Sequence, residues 1–162
     1  MFESEAQTVV ARLREKNMTV AFAESCTGGM LAAALTAVSG ASDVFAFGGV
    51  TYSNEMKEKL LGVRHETLAV HGAVSAQTAE QMAQGILQFS GAYIGVSITG
   101  IAGPNSDNTA KPVGLIYVCV KACDGYSRVV ELRNNFTEHI RENNRCSAVR
   151  TALDLLNEYL TR

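Results

Sequence analysis

The chain has 162 residues, 47% of them hydrophobic and 19% charged, with a formal net charge of −2. This balance suits one folded domain with a sizeable core and excludes a disordered chain. It gives no electrostatic argument for a nucleic-acid partner or an anionic membrane surface.

Met1 to Arg14 lacks the basic start and apolar run of a secretory signal. No apolar stretch approaches the roughly 20 residues that span a bilayer, so no membrane partner is expected. Cys26, Cys119, Cys123 and Cys146 form no CxxC pair and match no zinc spacing. Free thiols in a reducing, cytoplasmic compartment are the economical expectation, with no metal site.

In chain order, residues 3–17 read as an amphipathic helix with Ala6, Val9, Val10 and Leu13 on one stripe. Residues 19–23 are a short apolar run, read as a buried strand, and 27–38 a helix rich in small residues. A second strand is expected over 47–52. A short helix follows over 54–61, with Asn54 as a possible cap and Gly62 as its stop. The clearest helix is 75–90, where Ala79, Met82, Ala83, Ile86 and Leu87 repeat at three and four behind a capping Ser75. Strands are expected over 93–98, 113–120 and 127–132, the last two joined by a Cys123-Asp124-Gly125 turn as a hairpin. Val149, Ala152, Leu153, Leu156 and Leu160 mark a C-terminal helix.

The alternation predicts an α/β fold, a single three-layer domain over 1–162 with a mixed sheet and helices on both faces. Active sites of open α/β sheets lie beyond the carboxyl ends of the parallel strands. Two unusual loops fall there, Glu24 to Gly29 and Thr99 to Pro112.

In Ala23-Glu24-Ser25-Cys26-Thr27-Gly28-Gly29 a strand runs through a tight turn into a helix. Such a turn presents a hydroxyl at the sheet edge, as in the nucleophile elbows of hydrolases, although the G-x-S-x-G pattern is absent. Free N–H groups after the serine can stabilise an oxyanion, and side-chain-free glycines admit a ligand to the backbone. A simple capped helix would read the same way. Cys26 reads as a packed thiol, since no histidine has a context that would activate it.

Serine needs a base, and Lys57 lies in the first turn of the helix that begins at Asn54. The helix dipole and partial burial would both disfavour a charged ammonium there. Tyr52 could relay a proton or hold the lysine. The competing reading is a solvated helix face, because lysines are mostly exposed. Ile98-Thr99-Gly100-Ile101-Ala102-Gly103-Pro104 is a second strand-to-loop segment able to cradle an anion, without Walker or Rossmann spacing. Arg141, Arg145 and Arg150 offer either a basic edge for an anionic substrate or a solvated helix face.

Taken together, Ala23 to Gly29, Gly49-Val50-Thr51-Tyr52-Ser53-Asn54 with Lys57, Leu61-Gly62-Val63, His71-Gly72-Ala73-Val74-Ser75, Ser97 to Pro104 and Lys111-Pro112-Val113-Gly114 resemble the CinA C-terminal domain family. The match runs in order over nearly the whole chain. The resemblance implies a nicotinamide-nucleotide amidase (PncC-like). Such an enzyme hydrolyses nicotinamide mononucleotide to nicotinic acid mononucleotide and ammonia without metal or cofactor. It also implies Ser25 as nucleophile with Tyr52 and Lys57 as activating partners. Substrate contacts are implied at Cys26, Thr27, Gly28 and Gly29, at Thr99, Gly100, Ala102 and Gly103, and at Arg141 and Arg145. A small pyridine nucleotide is therefore the expected partner, and small α/β enzymes of this kind are expected to assemble as homo-oligomers. Two loops depart from the family pattern. Residues 105–110 contain no glycine, and Thr137 to Arg141 runs one residue longer than a compact Gly-Asp-Arg. The alternative is an inactive or altered-specificity paralogue serving as a nucleotide-binding module.

Overall fold

The computed structural model describes residues 1–162. Helix α1 spans Glu3–Glu15 and leads into strand β1, Val20–Glu24; helix α2 is Met30–Thr36 and strand β2 is Phe45–Val50. Helices α3 (Asn54–Leu61), α4 (His65–His71) and α5 (Ala76–Ser90) precede β3, Ile94–Gly100. Strands β4 (Leu115–Ala122) and β5 (Ser127–Arg133) form the hairpin, and α6, Ile140–Leu160, closes the chain.

The five strands form one sheet in the order β2-β1-β3-β4-β5. The first three are mutually parallel, and β4 and β5 are antiparallel to their neighbours. The expected mixed sheet with a terminal hairpin is therefore present. Strand alternation divides the core between two faces. Val20 and Phe22 of β1 and Ile94, Val96 and Ile98 of β3 join a 27-residue cluster with α1, α2 and α6. Ala21 and Ala23 turn to the opposite face and pack with Leu61, Leu68, Met82 and Ile86 in a cluster of eight. Helices thus cover both faces, one with a large core and the other with a small one.

Close approach on the small face depends on missing side chains. A Cβ at Gly85 of α5 would lie 1.9 Å from the Leu61 carbonyl oxygen at the end of α3. Only glycine lets these two helices cross at that distance.

Several elements differ from expectation, among them β2, which runs Phe45–Val50 rather than over 47–52. Helix α2 begins at Met30 rather than at Thr27, because Gly28 (φ +60°) and Gly29 (φ +95°) hold left-handed conformations that end the turn first. Strand β4 begins at Leu115, after Gly114 turns the chain with φ +89°. Helix α4 was not anticipated; it is seven residues long and has no side-chain cap to signal it. No helix is long and apolar enough to cross a membrane.

The strand register sets the site. Glu24, the last residue of β1, pairs with Val50 at the end of β2 and with Ile98 near the end of β3. The ladder runs one step further, with Ser25 N–H donating to Ile98 O and Thr51 N–H to Glu24 O. The residues that leave these three parallel strands therefore emerge level with one another.

Candidate active site

A cavity of about 240 Å³ opens at that end of the sheet. Ser25 and Cys26 reach it from the β1 turn, Tyr52 and Lys57 from the β2–α3 side, and Thr99 to Gly103 from the end of β3. Arg141 closes it from the first turn of α6.

Lys57 is 1% exposed, so the solvated-face reading fails. Ser53 caps α3 by accepting the Met56 N–H, in place of the expected Asn54, and this starts the helix so that Lys57 points into the sheet end. Its Nζ lies 3.1 Å from Ser25 Oγ, 2.7 Å from the Thr51 carbonyl oxygen and 3.3 Å from that of Tyr52. Burial lowers the Lys57 pKa from 10.5 to about 8. The neutral amine has two N–H bonds and one lone pair. With both N–H groups committed to the two carbonyls, the lone pair is left for the Ser25 hydroxyl. That is the arrangement of a nucleophile with its general base.

The Ser25 turn is braced by a residue the sequence reading passed over. Glu24 is 1% exposed. One carboxylate oxygen accepts the N–H groups of Gly29 and Leu31, each at 3.1 Å, and the other accepts Ala32 N–H at 2.9 Å. The signal was a lone acid ending an otherwise apolar strand, Val20-Ala21-Phe22-Ala23-Glu24. The Gly28 N–H donates to Ser25 O and the Met30 N–H to Thr27 O. The N–H groups of Cys26 and Thr27 find no acceptor in the protein.

The rival nucleophile is placed by the same turn. Cys26 is 6% exposed, and desolvation raises its thiol to about 11. It stays protonated near neutrality, as a packed thiol should.

The other expected site residues have partners of their own, and Tyr52, Thr99, Gly100, Ala102 and Gly103 among them line the cavity. The structure does not bring the Tyr52 phenol to Ser25 or Lys57. The side chain is exposed and its hydroxyl accepts a hydrogen bond from Arg141 at 3.2 Å, while its backbone oxygen is what meets the lysine. Thr99 is buried and spends its hydroxyl on the Ala73 carbonyl, 2.7 Å away, tying β3 to the α4–α5 connection. Gly100 is required by packing: a Cβ there would sit 2.6 Å from the Ile116 side chain. The carbonyls of Ala102 and Gly103 accept from Asn144 and Arg141, which anchors the loop to α6. Thr27, Gly28, Gly29 and Arg145 do not line the cavity; Arg145 instead donates to the Thr27 carbonyl at 2.9 Å. Arg150 pairs with Glu5, away from the site. Asn105, Ser106 and Asp107 of the glycine-free loop do line it, together with Ala73 and Val74.

Residues 2–160 match the family model described as the CinA C-terminal domain. A CinA-like protein of Geobacter sp. (strain M21) is 48% identical over 148 residues, covering 91% of this chain and 35% of that protein. A CinA-like protein of Syntrophomonas wolfei is 48% identical over 153 residues, 94% of this chain and 36% of its own length. The chain thus spans little more than a third of the curated relatives it matches. Among solved structures, the competence/damage inducible protein CihA from Agrobacterium tumefaciens superposes with a TM-score of 0.93 at 43% identity, over 99% of this chain and 96% of that one. A CinA superfamily protein from Klebsiella pneumoniae gives 0.93 at 35% identity, over 99% and 98% of the two chains.

Proposed function

The chain belongs to the CinA C-terminal domain family, and from that premise we propose that it is a serine-dependent amidohydrolase acting on nicotinamide mononucleotide. The observation that carries the proposal is the buried Lys57 Nζ, 3.1 Å from Ser25 Oγ and flanked by two backbone carbonyls.

In the proposed reaction, neutral Lys57 takes the Ser25 proton as Oγ attacks the carboxamide carbon. The negative oxygen that forms is met by the unpartnered N–H groups beginning at Cys26. The lysine ammonium then gives its proton to the departing nitrogen, which leaves as ammonia. Water, deprotonated by the same lysine, opens the acyl-enzyme to nicotinic acid mononucleotide and restores Ser25. Tyr52 contributes its carbonyl to the lysine, and its phenol stands with Arg141 at the cavity. In this reading the substrate phosphate is met by Arg141, whose guanidinium lines the cavity.

The test is ammonia release from nicotinamide mononucleotide by the wild type and by Ser25→Ala and Lys57→Ala. Lys57→Ala is expected to lose about 10²–10⁴-fold in kcat, the range of a missing base, and Ser25→Ala about 10⁶-fold, as for a missing serine nucleophile. Unimpaired turnover by Ser25→Ala overturns the mechanism. Tight binding without turnover by the wild type replaces the enzyme with a nucleotide-binding module.

A further inference from the structure

Between Ser25 and Ala32, eight successive residues carry a backbone N–H, and the partners of these groups can be followed one by one. Ser25 donates to Ile98 O, Gly28 to Ser25 O and Met30 to Thr27 O. Gly29, Leu31 and Ala32 all donate to the Glu24 carboxylate. Only Cys26 and Thr27 are left without an acceptor.

The first turn of a helix ordinarily leaves its N–H groups open to any anion. Here a buried carboxylate from the residue before the nucleophile has taken that place. Gly29, the residue that starts the helix, has no side chain to do so. A substrate phosphate or carboxyl is therefore excluded from the α2 N-terminus, and the turn is clamped at both ends: Ser25 on the β3 ladder, Gly29 to Ala32 on Glu24.

Building on the proposed serine mechanism, we infer that Glu24 is a positioning residue that fixes the oxyanion hole, selecting the N–H groups next to Ser25 by occupying the helix N-terminus beyond them. Glu24 touches neither Ser25 Oγ nor Lys57 Nζ, and it acts through the backbone it holds. Its charge is spent on three N–H donors, and the depression of Lys57 comes from burial. The contribution of Glu24 thus belongs to the geometry of the turn and not to the basicity of the lysine.

The informative variant is Glu24→Gln, which keeps the shape but faces three N–H donors with one oxygen and one NH₂ group. Two readouts are needed. The first is kcat, KM and the pH profile for nicotinamide mononucleotide hydrolysis. The second is the rate at which a small alkyl fluorophosphonate labels Ser25, read by intact mass. In that reaction Oγ bonds to phosphorus, fluoride leaves and the serine proton goes to Lys57, with the phosphoryl oxygen in the same hole. Glu24→Gln is expected to lower both kcat and the labelling rate by about 10²–10³-fold, the cost of a disordered oxyanion hole. KM is expected within about threefold of the wild type, with the pH midpoint unmoved. Glu24→Asp, which keeps the charge and loses reach, is expected to fall between the two and to carry the test if the glutamine variant does not fold.

A folded variant with wild-type labelling and kcat overturns the inference. So does a KM that rises in step with an unchanged kcat, or a displaced pH midpoint. If the wild type is labelled at Ser25 but does not hydrolyse the nucleotide, the substrate assignment fails and the labelling rates still decide the role of Glu24. If the wild type is neither labelled nor active, both readings fall.

Discussion

Lys57 owes its chemistry to where it is buried and to what it meets there. An ammonium removed from water is disfavoured, and the two carbonyls beside it are neutral dipoles that cannot repay a lost hydration shell. The result is a pKa of about 8, against 10.5 in water. In the proposed mechanism the base is the neutral form, so kcat/KM for amide hydrolysis should climb with pH and level off above a midpoint near 8, as read from initial rates between pH 6 and 10. A flat profile would separate Lys57 from proton transfer. The same group leaves a mark on stability. Between about pH 8 and 10.5 the unfolded chain holds a proton that the folded chain has released. Stability from this residue therefore rises with pH across that window, and the deficit is complete below it. Pairing with Ser25 and partial burial are expected of this lysine from the sequence, but its two carbonyl partners are not legible in Asn54 to Leu61, which also reads as a solvated helix face. Ser25 was legible only as a candidate, since a capped helix would read the same way, and the family resemblance singled it out.

The elements were legible where a periodicity or a stop residue marked them, as in α5 behind Ser75 and α3 before Gly62. They were not where the backbone is organised from a distance. The start of α2 was misplaced because its first N–H groups are satisfied by Glu24, a residue on the preceding strand, and no local cap announces it. The family resemblance implies Tyr52 as an activating partner, but the chain there is extended and the phenol swings out to Arg141. The α3–α5 crossing shows how an element far from the cavity governs it. In Gly85→Ala a methyl group would meet the Leu61 carbonyl at 1.9 Å, a clash with backbone that only a shift of α3 can relieve. The cost is expected at about 1–3 kcal/mol of stability, as for overpacking in general. Because α3 carries Lys57, activity should fall by more than the loss of folded protein explains. Thermal melts and kcat measured on the same sample separate the two effects.

At the scale of the whole molecule, the sheet is supported unequally. One face rests on 27 buried residues shared with α1, α2 and α6, the other on a cluster of eight shared with α3 to α5 and a separate three, Ala79, Ala83 and Cys119. Regions with few buried apolar contacts open at lower free energy than the global transition. Amides of α3 and α4 are expected to exchange with deuterium well before those of α1 and the buried stretch of α6. Mass-spectrometric exchange at peptide resolution checks this, and equal protection of the two faces would contradict it. Ser25 is thus borne by the firmer side of the molecule, with its turn tied between β3 and α2, while Lys57 arrives on the softer one. The amphipathic patterns foretold helices on both faces. That one face would carry a smaller core could not be read from them, since it depends on small residues such as Ala21, Ala23 and Gly85 that let elements meet closely.

Two of the three partners of Lys57 are main-chain oxygens, and that bears on how the protein can change. The surroundings of the amine are written in the path of the chain past Thr51 and Tyr52 rather than in their side chains. The exposed side chain at position 52 makes no contact with the lysine, which it meets through its carbonyl alone. In the proposed enzyme a side-chain change at the cavity mouth would therefore leave the carbonyl partners of Lys57 in place.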